Sequence, residues 1–337
     1  MAVGADLILE TQGKGLISRL LSSSKYPDAY ARDGGLVVLP SRGKLYVASD
    51  FHSRSKDFEK WLQRTELVER MQYDDVYGLI LGDVVDKKEH DSEAERYGDS
   101  KIVDRIMEIQ DKLGEQRNRL IYIQGNHEHE VLKLYDMLRS RGMGPANQKK
   151  IVQRMYNGKS GFYFKQFNFI ERMTEEQFRY MRDLPFAVMT KNGIVGVHAG
   201  PARFMEGPED VAQKKKSVVQ DIVWRRPENV TGGSYTSSEV REFLEKMDDS
   251  GLLVTGHTPL GMLPRYYVEN GVGVYGGNQI ILATSYGSYP GNKSYLALEL
   301  GKRYNNTGDV RAGEEIARLE IVPGTEEPQL LAKKKAA

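Results

Sequence analysis

The 337-residue chain contains no cysteine. That excludes disulfides, thiolate zinc sites and every enzyme built on a cysteine nucleophile, and it suits a reducing compartment. An excess of one charge is missing too. Lys and Arg number 48 against 47 Asp and Glu, whereas a nucleic-acid binder is usually plainly basic. No apolar run approaches the roughly 20 residues needed to span a bilayer. The opening "MAVGADLILETQGKGLISRLL" lacks an apolar stretch long enough for a signal peptide. Internal repeats and long linkers are absent. The expectation is a cytoplasmic protein with no membrane or nucleic-acid partner, long enough to bury a large core in one domain.

What the chain does have is a series of short apolar runs. They are "KLYVASD" (44–50), "VYGLILGD" (76–83), "RLIYIQGN" (119–126), "GIVGVHAG" (193–200) and "GLLVTGHT" (251–258). Each reads as a buried strand. Amphipathic stretches lie between them: 55–72, 99–114 and 128–142, the last with Gly142 as its stop. Two further helices open with capping boxes, Thr174 with Gln177 and Thr236 with Glu239. Lys214 to Lys216 fall in another helix-like stretch. Strands alternating with helices imply an α/β layered fold. Late strands at "GNQIILATSYG", "KSYLALEL" and "EIARLEIV" have no strong helix between them and imply mixed sheets.

All five early strands end in polar residues: Asp50-Phe51-His52, Asp83-Val84-Val85-Asp86, Asn126-His127-Glu128, His198 and His257. Open α/β sheets bind ligands at the carboxyl ends of their strands. Four of the six histidines lie at these ends. Oxygen and imidazole ligands select hard or borderline divalent ions such as Mn, Fe, Zn or Co. The set is too large for one catalytic zinc. It suits two metals sharing a carboxylate, which activate water and clamp a phosphoryl group for in-line attack.

These ordered motifs, Asp-x-His, Gly-Asp-x-x-Asp, Gly-Asn-His-Glu, His-Ala-Gly and Gly-His, resemble the metallophosphoesterase superfamily. Within it the chain resembles the phosphoprotein phosphatase family of the bacterial or archaeal serine/threonine kind, from about residue 44 to 300. The resemblance implies a four-layer α/β/β/α sandwich with mixed central sheets and a dinuclear site, Mn being expected and Fe or Zn the alternatives. It implies Asp50 and His52 on the first metal, Asp83 bridging, and Asn126, His198 and His257 on the second. His127 is then the general acid, with Asp86 fixing its tautomer and favouring the protonated ring. Glu128 is read only as a helix-opening charge that suits the dipole. Many phosphodiesterases and nucleases of the superfamily have Gly-His-x-His as the last motif. Here Pro259 follows in "GHTP", and this favours the protein phosphatase branch.

The family's Gly-Asp-x-x-Asp-Arg-Gly is "GDVVDKK" in this chain, with Lys87 in the arginine's place. Lysine keeps the charge without the planar fork. Arg226, in a stretch resembling the family's Trp-x-Arg-Pro, is the expected phosphate ligand, with Arg225 as the alternative and Arg54 behind both. The tyrosines of "ATSYGSYPGNKSY" are expected to line the cleft. His90 and His129 read as a polar-loop residue and a helix-face residue, Tyr73 and Trp61 as core. "NGKSG" near Gly158 lacks the first glycine of a P-loop. The organisation expected is an extension over 1–35, the catalytic domain over 36–325 with a cap segment near 139–169, and a frayed tail over 326–337. The function implied is hydrolysis of a phosphomonoester, on phosphoserine or phosphothreonine of a phosphoprotein or on a small phosphoester. The alternatives are a diadenosine tetraphosphatase-type nucleotide hydrolase and an inactive scaffold.

Overall fold

Alternation along the strands sets the layers. The computed structural model describes residues 9–10, 30–88, 97–140, 169–170, 172–247, 251–288 and 293–320. Among the described residues, nine strands form one sheet. Their order is β1 (Leu9–Glu10), β2 (Ala31–Asp33), β3 (Leu36–Leu39), β7 (Ala187–Thr190), β8 (Ile194–Val197), β9 (Leu252–Thr255), β12 (Gln279–Ile281), β11 (Val272–Tyr275) and β10 (Val268–Glu269). Five form the other, ordered β14 (Ile316–Arg318), β13 (Ser294–Glu299), β4 (Lys44–Ala48), β5 (Val76–Ile80) and β6 (Leu120–Tyr122). Both sheets mix parallel and antiparallel pairs.

Successive side chains of a strand point to opposite faces. Leu45 and Val47 of β4 therefore pack with Val37, Val188, Leu252 and Val254 in a core between the sheets. Their neighbours Tyr46 and Ala48 face outward onto helices α1 (Ser55–Thr65), α2 (Leu67–Tyr73), α3 (Gly98–Leu113), α4 (Asn126–Ser140) and α5 (Glu175–Asp183). The far side of the larger sheet is covered by α6 (Pro208–Ala212), α7 (Lys216–Trp224) and α8 (Ser237–Lys246), through Val211, Val219, Ile222, Val240 and Phe243. Three apolar cores between four layers make the α/β/β/α sandwich.

The site follows from strand direction. β4, β5 and β6 run parallel, as do β8 and β9, so their carboxyl ends open on one edge. The loops there are bonded to one another: His52 N donates to Asp83 O (2.9 Å) and Ser53 N to Val84 O (2.9 Å). The two sheets are joined at this edge, where Ser49 N donates to Thr284 Oγ1 (3.0 Å) and His257 N to Asp50 Oδ2 (3.0 Å).

Both capping boxes form as expected. Several expectations are corrected. The 55–72 helix is two helices, divided at Glu66, whose φ is 49°. A continuous helix would carry the face of Phe58, Trp61, Leu62 and Thr65 on to the polar Glu69 and Gln72. The left-handed turn rephases the chain so that Leu67 and Met71 are buried instead. Tyr73, expected in the core, is 73% exposed at the end of α2, while Trp61 is fully buried. Lys214 to Lys216 form the junction of α6 and α7, with Lys214 at φ 55°, rather than a helical stretch. The sheet begins before residue 36, because Ala31–Asp33 pairs with Leu36–Leu39. Most of the cap segment, the tail and His90 lie outside the described residues. Among the described residues no helix is long and apolar enough to cross a membrane.

Candidate metal centre

Six polar residues of the strand-end loops adopt the left-handed backbone region: Asp50 (φ 56°), His52 (43°), Ser53 (67°), Asp83 (54°), Asp86 (71°) and His257 (63°). Non-glycine residues there cost on the order of 1–3 kcal/mol each and persist where surrounding structure holds them. The strain aims these side chains inward. Two glycines permit the approach. A Cβ at Gly82 would sit 2.6 Å from Gly125 Cα, and one at Gly125 would sit 2.3 Å from Asp83 Oδ1.

Asp83 stands at the centre, fully buried. Its Oδ2 faces His52 Nε2 (3.5 Å) and its Oδ1 faces His198 Nε2 (3.4 Å). Two groups of potential ligands share it: His52, Asp83 and His127, and Asp83, His198 and His257. Asp50 adjoins the first, its Oδ1 3.8 Å from His52 Nε2. Asn126 adjoins the second, with Oδ1 2.9 Å from His198 Nε2 and 2.8 Å from His257 Nδ1. The six residues expected as ligands are thus brought together from five strand ends.

The outward nitrogens of three imidazoles are fixed by backbone carbonyls. His52 Nδ1 donates to Val85 O (3.0 Å), His198 Nδ1 to Leu81 O (2.6 Å) and His257 Nε2 to Trp224 O (3.2 Å). Such bonds set the tautomer and turn the other nitrogen's lone pair toward the ligand space. Burial pushes His52 and His257 well below the usual histidine range, the first helped by Lys88 and the second by His198. Both are neutral, as metal ligands must be. Burial and the Asp83 charge push Asp50 up to about 6. His198 is desolvated as well, but the Asp83 and Asp50 carboxylates outweigh that and push it up to about 9. Protons here occupy a place that divalent cations would take with better charge balance, since a metal and a proton compete for the same lone pairs. The donor set of carboxylates, imidazoles and an amide oxygen fits two hard or borderline divalent ions.

His127 differs from the other three. Its Nδ1 lies 2.8 Å from Asp86 Oδ2, and its Nε2 is 3.8 Å from Asp83 Oδ2 and 3.1 Å from Lys88 Nζ. An ammonium beside Nε2 disfavours a dication bound at that same nitrogen, which separates His127 from the ligands.

The cationic residues divide. Lys87 is exposed, and its neighbour Lys88 turns inward in its stead. The Arg225 guanidinium is committed to the fold. It donates to Pro201 O (3.0 Å), to Ser234 and to Glu239 Oε1 (2.7 Å), which removes it from reach of a phosphate. Arg226 is different: its Nε is buried with no hydrogen-bond partner among the described residues. Burial pushes its guanidinium down, while the charges of Asp83 and Asp50 oppose this, so it faces the centre. Arg54 donates to Ser285 O (2.9 Å) and lies against the Tyr286 ring. Tyr286 meets His52 edge-on at 4.9 Å between ring centroids and lines the centre, whereas Tyr295 is buried in the core against Tyr46. His129 packs edge-on against Phe186, away from the ligands.

Glu128 is more than a helix-opening charge. It is fully buried and accepts from Asp83 N (2.9 Å), Gly125 N (2.8 Å), Val84 N (2.8 Å), Val85 N (3.2 Å) and Tyr122 Oη (2.7 Å). One carboxylate thus binds the Asp83 loop to the Asn126 loop. Its place in "GNHE" gave no sign of this, because three of its donors lie more than 40 residues away. Glu128→Gln puts an NH₂ against backbone donors and removes charge-assisted bonds. The expected loss is roughly 3 kcal/mol of stability, seen as a fall in Tm of several degrees, together with a ~10–100-fold loss of metal affinity. An unchanged Tm by calorimetry would return Glu128 to a dipole role alone.

Residues 43–283 match the family model described as calcineurin-like phosphoesterase. No curated protein matches the chain. Solved structures resemble it distantly. A Saccharomyces cerevisiae protein serine/threonine phosphatase with similarity to human phosphatase PP5 is 14% identical over 79% of this chain and 78% of its own, with a TM-score of 0.47. The cold-active protein-tyrosine phosphatase of a psychrophile Shewanella species is 14% identical, covering 82% and 78%, with a TM-score of 0.45. A metallophosphoesterase from Sphaerobacter thermophilus is 15% identical, covering 77% and 84%, with a TM-score of 0.41.

Proposed function

The chain belongs to the calcineurin-like phosphoesterase family, and on that premise we propose that it hydrolyses phosphomonoesters, with phosphoserine or phosphothreonine in a protein as the substrate. The observation that carries this reading is the Asp86–His127 pair at 2.8 Å, set beside the shared Asp83. Two divalent ions, with Mn as the expected pair, would be held by Asp50, His52 and Asp83 and by Asp83, Asn126, His198 and His257. When bound, such a pair supplies Lewis acidity and lowers the pKa of water toward ~7.

The chain's own residues supply the rest. The Asp86 carboxylate pairs with His127 Nδ1 at 2.8 Å and orients the ring, leaving Nε2 to hold the proton given to the leaving oxygen. Arg226, with its buried unpartnered Nε, grips the phosphoryl oxygens. Arg226→Ala is expected to raise KM for a phosphomonoester by roughly 10–100-fold, and Arg226→Lys to recover only part of it, because lysine lacks the bidentate fork. A KM unchanged in steady-state kinetics would remove Arg226 from the substrate site.

The test of the reading is phosphate release by the Mn-loaded chain from a phosphopeptide, p-nitrophenyl phosphate, bis-p-nitrophenyl phosphate and diadenosine tetraphosphate. The phosphopeptide and the monoester should lead. Preference for diadenosine tetraphosphate would make the chain a nucleotide hydrolase, preference for the diester would make it a phosphodiesterase, and no release with metal bound would make it a scaffold.

A further inference from the structure

We propose that Lys88 is the residue through which this chain selects a phosphate group bearing two negative charges over one bearing a single charge. The inference rests on the phosphomonoesterase reading above and deepens it.

The chain leaves Asp86 with φ 71°, and this turn sends successive lysines to opposite sides. Lys87 is exposed; Lys88 is only 20% exposed. The Lys88 ammonium lies 3.1 Å from His127 Nε2 and 3.4 Å from Asp86 Oδ2, and 5.3 Å from the centroid of the Tyr286 ring. Lys88 Nζ thus sits against the one nitrogen of His127 that is free of Asp86, where the leaving oxygen and the phosphoryl oxygens beside it must come.

A lysine is a compact point charge with three donors. Asp86 takes one of those directions, and His127 Nε2 takes a second only while it carries no proton; once Nε2 holds the proton for the leaving oxygen, that direction turns to a substrate oxygen. In a monoester dianion every non-bridging oxygen shares two negative charges. In a diester one of those oxygens is alkylated and the remaining pair shares one. A point charge at this position therefore acts most strongly on the dianion, whereas the planar fork of Arg226 serves either ligand through two oxygens.

Two ligands measure this without turnover. Binding of inorganic phosphate and of dimethyl phosphate to the Mn-loaded full chain is followed by calorimetry for the unsubstituted protein, Lys88→Met and Lys88→Arg, with metal content and Tm recorded alongside. Lys88→Met should weaken phosphate binding by about 10–100-fold and dimethyl phosphate by less than about threefold, with metal content kept, the scale of one charge-assisted contact. Lys88→Arg should restore part of the phosphate affinity. An equal loss for both ligands, or a loss for neither, overturns the proposal and leaves Lys88 as a support for His127. If phosphate binding depends on Lys88 as stated but no ester is hydrolysed, the reaction assigned above fails while the selectivity stands.

Discussion

Asp83→Asn is expected to strip both ions from the chain and to take phosphate release below detection. The side chain is fully buried, and its two oxygens face different imidazoles, His52 at 3.5 Å and His198 at 3.4 Å. It is the residue common to both ligand groups. Burial alone would raise its pKa, but His198, His127 and His52 together hold it well below the usual carboxylate range. An amide offers one oxygen in place of two and no charge, so both positions lose the anion they share. His257 belongs to one group alone, and His257→Ala should retain about one ion per chain. Metal content by mass spectrometry checks the pair of variants. Two ions retained in Asp83→Asn, or equal losses in the two variants, would deny that Asp83 is shared.

His127→Asn should lower turnover by roughly 10²–10⁴ while metal content stays. Asparagine can still bond Asp86, so the pocket keeps its shape, but it has no proton to give to a leaving oxygen. The contacts of His127 set this expectation apart from that for the ligands. Three ligand imidazoles turn one nitrogen to a backbone carbonyl and the other inward. His127 instead turns Nδ1 to a carboxylate and Nε2 to an ammonium. Metal loss in this variant, measured beside the rate, would make His127 a ligand and leave the acid unassigned.

The strand-end constellation was legible in the sequence because each motif is contiguous and closes an apolar run. Parallel pairing then gathers Asp50, Asp83 and Asn126 without further instruction, and β8 and β9 bring His198 and His257. What escaped depends on backbone turns and distant partners. The left-handed turn at Asp86 exchanges Lys87 for Lys88. The choice between Arg225 and Arg226 rests on Glu239 and Ser234, which capture the first guanidinium. Glu128 serves a loop more than 40 residues away through backbone donors that carry no side-chain signature. The break at Glu66 was hidden because each half has a sound helical pattern and only their phases disagree. The layers themselves were readable from strand alternation. The edge strand β10 and its neighbour β11 are short pieces with weak patterns of their own.

The most direct measurement of the account is the hydrolysis rate of a series of aryl phosphates with leaving groups of rising pKa, for the Mn-loaded protein and for His127→Asn. With His127 protonating the departing oxygen, the unsubstituted protein should show a shallow dependence on leaving-group pKa, and the variant a steep one, converging for the best leaving groups. Parallel dependences, or no hydrolysis of any aryl phosphate by the metal-loaded chain, would contradict it.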